Sequence, residues 1–114
     1  MLELVKALCD KEIYEQIGRN LPITAFEREP KRIVETIISA QDTYDNSINL
    51  SELENLFFSN NNSLTKAQED SYRLLFAKMR YAEDISLDVA KDVMHNLWRI
   101  EIGRRVAEIG YALT

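Results

Sequence analysis

Cys9 and His95, the one cysteine and the one histidine among 114 residues, are where nucleophilic chemistry would have to begin. A thiolate nucleophile needs an imidazole beside it to take its proton. These two stand far apart in the sequence, and Cys9 shares an apolar helical spacing with Leu2 and Val5. The expectation is a buried structural thiol. A zinc site needs several Cys or His ligands, which one of each cannot supply. A lone cysteine also forms no internal disulfide, which suits a reducing compartment.

Carboxylates are abundant but unfocused. The pairs Asp10/Glu12, Glu27/Glu29, Glu52/Glu54, Glu69/Asp70 and Glu83/Asp84 fall at helix starts or on polar faces. The positive end of a helix favours acidic residues there without any site. No acidic pair accompanies a histidine at ligand spacing, so a small metal-dependent enzyme is the weakest reading. A phosphate-binding loop needs clustered glycines followed by Lys and Ser or Thr. Gly18, Gly103 and Gly110 are isolated, and none precedes a lysine. The reading is therefore no catalytic, cofactor or metal residues in this chain.

Arg99, Arg104 and Arg105, with Lys91 and His95, form a possible basic patch. It would meet phosphates or an acidic partner. Alternatively it is a solvated face balanced by Glu101 and Glu108. The formal net charge of −5 opposes strong direct DNA binding, which relies on a basic surface that releases counterions. No apolar run approaches the roughly 20 residues that span a bilayer, and the N-terminus lacks the apolar core of a signal peptide. The expected location is the cytoplasm.

The elements that would carry these residues are helices. Three glycines and two prolines are too few for the turns of an all-β fold. Apolar residues recur at helical spacing instead. Leu2, Val5 and Cys9 mark a short first helix. Asp10 caps a second with Ile13 and Ile17, ended by Gly18 and Asn20, and 21–24 reads as a connector. A third starts near Pro30 and places Ile33, Ile37, Gln41 and Tyr44 on one face. Ser51 with Glu54 reads as a capping box opening a fourth, with Leu53, Leu56 and Phe57 inward. Thr65 with Gln68 is a second box, ahead of Tyr72, Leu75, Phe76 and Met79. Ser86 caps a long last helix from about Leu87. The expected fold is all-α: a small orthogonal bundle of about six helices with a long C-terminal linker-type helix.

That last helix carries two stripes. Val89, Val93, Leu97 and Ile100 are expected to face the bundle. Ile102, Val106, Ile109 and Leu113 share a different face, which either meets another surface or folds back onto the bundle. Trp98 reads either as core or as an interface anchor. The candidate partner-binding set is thus Trp98, Ile102, Val106, Ile109 and Leu113, with residues 1–98 as the interaction domain and 99–114 as the start of a linker helix.

The order of segments resembles the N-terminal domain of DnaB-like hexameric replicative helicases, over nearly the whole chain. The resemblance lies in Ala25-Phe26 followed by Lys31-Arg32-Ile33-Val34-Glu35-Thr36-Ile37, in Ser47-Ile48-Asn49-Leu50-Ser51-Glu52-Leu53, and in Arg99-Ile100-Glu101-Ile102-Gly103-Arg104-Arg105-Val106-Ala107-Glu108-Ile109. It is a pattern of apolar positions. Pro30, where many bacterial members carry histidine, and Asn49, where they often carry aspartate, point to the phage branch. The Leu-Gly pair of bacterial members is replaced by Ala7-Leu8-Cys9. The resemblance implies a non-catalytic domain that pairs with itself as a dimer or within a hexameric ring, and that binds primase or a helicase loader. It also implies a linker helix leading to a motor domain, with ATP and magnesium confined to that later domain. The chain would then be a fragment ending in or just after the linker helix. A free-standing adaptor or loader-type replication protein is the competing expectation.

Overall fold

Capping residues become helix boundaries in the computed structural model, which describes the backbone of residues 1–113 and the side chains of residues 1–109. The helices are α1 (Leu2–Ala7), α2 (Lys11–Ile17), α3 (Arg28–Thr43), α4 (Leu50–Asn60), α5 (Lys66–Tyr81) and α6 (Leu87–Leu113). Two 3-10 turns, Gly18–Asn20 and Ile23–Ala25, connect α2 to α3. No strand occurs among the described residues. The chain is a small all-α bundle.

Asp10 opens α2 by accepting from the Ile13 amide at 3.1 Å. Thr65 and Gln68 form their reciprocal box on α5: the Gln68 backbone amide donates to the Thr65 hydroxyl, and the Thr65 backbone amide to the Gln68 side-chain Oε1. The Val89 amide reaches the Ser86 hydroxyl at 3.3 Å, at the start of α6. Pro30 sits in the first turn of α3, where its missing N–H costs nothing.

The α4 box differs from expectation. Asn49 and Glu52 form it, two residues before Ser51 and Glu54. Both pairs have the required spacing, so spacing alone cannot choose. Glu54 is occupied elsewhere, pairing with Arg80 and with Arg73 at 3.6 Å on α5. Asn49 is left as the cap, and Ser51 lies exposed inside the helix.

The core runs through the bundle as Leu4, Leu8, Ile17, Ile33, Ile37, Leu53, Phe57, Phe76 and Met79, all sealed from solvent. Phe57 stacks obliquely on Tyr72, with ring centroids 4.6 Å apart, and edge-on to Phe76 at 5.4 Å. Gln41 is the polar member of the inner α3 face. Its amide nitrogen donates to the Leu8 and Cys9 carbonyls at 2.8 and 2.9 Å. Those carbonyls follow the end of α1 and have no helical partner, so Gln41 caps α1 from inside. Tyr44 does not join this face. Helix α3 ends at Thr43, and the extended backbone of Tyr44 turns its ring outward, half-exposed.

Helix α6 packs through Ala90, Met94 and Leu97, with Val93 and Trp98 partly buried. The expected inner stripe is corrected here: Val89 and Ile100 are exposed. The buried face is turned by roughly 70° from that expectation, at about 100° per residue. Ala90 is fully buried. Because α6 has 27 residues, its end runs past the body. The radius of gyration, 15.3 Å, exceeds the roughly 13 Å of a compact chain of this length accordingly.

Candidate interaction surface

Ile102, Val106 and Ile109 stand on the projecting part of α6 at spacings of 4 and 3, which places them on one helical face. Their exposures are 55 %, 62 % and 60 %. The stripe lies about 120° around the helix from the buried Ala90, Met94 and Leu97 at about 100° per residue. It therefore looks away from the bundle. Leu113, the fourth member of the expected stripe, lies outside the described side chains. Ile100 is exposed on the opposite side of α6.

Where the packed half of α6 meets this arm, the contacts change character. The stripe Ala90, Met94, Leu97 continues at the next helical step with Glu101, which is 3 % exposed. The Thr24 hydroxyl donates to its carboxylate at 2.8 Å. Arg104 and Arg105 close on the same carboxylate at 2.5 and 3.2 Å. Arg104 also donates to the Thr24 carbonyl at 3.1 Å. The Thr24 hydrogen bond holds the Glu101 carboxyl below its ordinary value, aided by the two arginines and opposed by burial. One turn earlier, the Trp98 indole N–H donates to the Asn20 carbonyl at 2.6 Å. Side chains from one side of α6 thus hold the 20–24 connector.

The sequence-derived residues separate accordingly. Trp98 is bound to its own domain. Arg104 and Arg105 are turned onto Glu101. Arg99 is exposed, about 120° around the helix from Arg105 at roughly 100° per residue. Asn20, Thr24 and the burial of Glu101 escape the sequence reading. Once Ala90, Met94 and Leu97 are known to face inward, Glu101 follows at the next step, but the apolar pattern favours Val89 and Ile100 instead.

The remaining chemistry-bearing groups are structural. Cys9 is buried, and burial pushes its thiol up to about 12, far from the thiolate a nucleophile needs. Among the described residues no cluster of three or more His, Cys, Asp or Glu side chains is placed to hold a metal ion. No described helix is long and apolar enough to cross a membrane. A surface groove of about 520 Å³ runs between residues 44–48 and α4, lined by Asp45, Ser47, Glu52 and Asn55 among others. Glu52 there is committed to capping α4. Comparison with protein-family models, with curated proteins and with solved structures gives no match for this chain.

Proposed function

We propose that this chain is a non-catalytic interaction domain whose α6 arm pairs with a second copy of the chain, in the manner of the N-terminal domains of DnaB-like hexameric replicative helicases. One observation carries the reading: the exposed face of Ile102, Val106 and Ile109 on an arm that leaves its own bundle. Covering one such side chain is worth about 1.5–3 kcal/mol, and association costs have to be met from the sum. Three or more apolar side chains per copy, paired across a two-fold axis, supply a contact of the weak, concentration-dependent kind. A ring would strengthen it through repetition.

On this reading the bundle is the body that the arm joins to its neighbours. Primase or a helicase loader is the further partner. ATP and magnesium belong to a motor domain beyond this chain, and DNA contact by this chain is weak. The resemblance in apolar pattern supports the replication setting, and the acidic balance supports a protein partner over a nucleic acid.

Sedimentation equilibrium tests the pairing. The wild-type chain is expected to gain mass with concentration towards a dimer or larger assembly. The double change Val106→Ser and Ile109→Ser is expected to remain monomeric over the same range. A wild type that stays monomeric up to its solubility limit, or a double variant that assembles as the wild type does, would overturn the reading.

A further inference from the structure

We infer that Glu101, Thr24, Arg104 and Trp98 form a polar latch that fixes the direction in which α6 leaves the bundle, and that this latch can open while both parts stay folded.

The packing pattern is the first reason. Helix α6 attaches to the body through hydrocarbon only as far as Leu97 and the half-buried Trp98. Beyond Trp98, every apolar side chain described on α6 is exposed: Ile100, Ile102, Val106, Ala107 and Ile109. At position 101, where the stripe calls for another apolar residue, a carboxylate is buried instead. What holds the helix here is the Thr24 hydroxyl, the Thr24 carbonyl and the Asn20 carbonyl. All three lie on one short connector built of 3-10 turns.

The second reason is chemical. A buried leucine at 101 would hold the helix by excluded surface, with no alternative partner in water. A carboxylate, a hydroxyl, a guanidinium and an indole N–H can each exchange a protein partner for water, so net bond strengths are small. They are also directional. Engaged, they fix both the rotation and the tilt of α6 against residues 20–24, because Trp98 and Glu101 grip the connector one turn apart. Released, they leave an intact helix hinged near Leu97. Arg104 and Arg105 can remain with Glu101 after release, since those pairs lie within α6. The carboxylate is then never left uncompensated. The latch stands whether or not the arm binds a second copy.

The test measures the arm's direction in the full-length chain. Spin labels are placed at two exposed helical positions, Ser71→Cys on α5 and Ala107→Cys on the arm. Cys9 is buried and is kept, and the parent chain without added cysteines, treated with the same label, serves as the control. The labelled chain is diluted with unlabelled chain, so that only distances within one molecule are read. The parent is expected to give a single narrow distance. Thr24→Val, which removes only the hydroxyl, and Glu101→Gln are each expected to replace it with a broad distribution, with the circular-dichroism helix signal unchanged. If Glu101→Gln fails to fold, Thr24→Val decides alone. A distance as narrow as the parent's would overturn the latch. So would broadening accompanied by loss of helix signal, because the contacts would then support α6 itself and not its direction.

Discussion

A methyl group at position 18 would lie 2.3 Å from Cδ2 of Tyr14 and 2.4 Å from Cε2. The ring cannot swing clear: it is buried, and its hydroxyl donates to Asp42 at 2.9 Å. Gly18→Ala is therefore expected to overpack the end of α2 and cost about 1–3 kcal/mol, read as a lowered midpoint in thermal or denaturant unfolding. A midpoint equal to the parent's would show that Tyr14 repacks freely. The sequence marks Gly18 as a helix stop, and it is one. That a ring four residues earlier folds over it has no linear signature, because the reason is the distant Asp42. Glu101 escapes for a similar reason. Beside Arg104 and Arg105 it reads as a surface counterion, and only the position of Thr24, 77 residues away, makes it interior.

Element boundaries are the most legible part of the chain. Asp10, Thr65 and Ser86 sit where a cap must accept an amide, and each does so. The exception is instructive. Asn49/Glu52 and Ser51/Glu54 satisfy the same spacing rule, but Asn49/Glu52 forms the box while Glu54 pairs with Arg73 and Arg80 on α5. Asn49→Ala should then cost about 1 kcal/mol, as lost caps do, while Ser51→Ala should stay within about 0.5 kcal/mol of the parent. Denaturant midpoints of the two variants check this, and equal losses would contradict the assignment. The facing of α6 is less legible. Val89, Val93, Leu97 and Ile100 make the more hydrophobic stripe, yet the buried face is the one that carries Ala90, Met94 and Leu97. Periodicity reports that a helix has an apolar side. It does not say which of two candidate sides a neighbour will select.

For the whole molecule, composition and spacing suffice for the fold class. Few turn formers and continuous helical periodicity leave little but a helical bundle, and the isolated glycines leave no phosphate-binding loop. What joins the scales is the arm. Ile102, Val106 and Ile109 are exposed because α6 is longer than the bundle that packs its first half. If those side chains serve association and not folding, the two processes are linked by mass action: assembly stabilises the folded state, and the unfolding midpoint rises with protein concentration. The most direct measurement is thus the thermal midpoint of the wild type and of the Val106→Ser, Ile109→Ser double variant across a wide range of concentrations. The expected result is coincident midpoints at high dilution, with only the wild type rising as concentration increases. A double variant several kcal/mol less stable at high dilution would place the stripe in the domain's own core and contradict the interaction reading. A wild-type midpoint independent of concentration would contradict it equally.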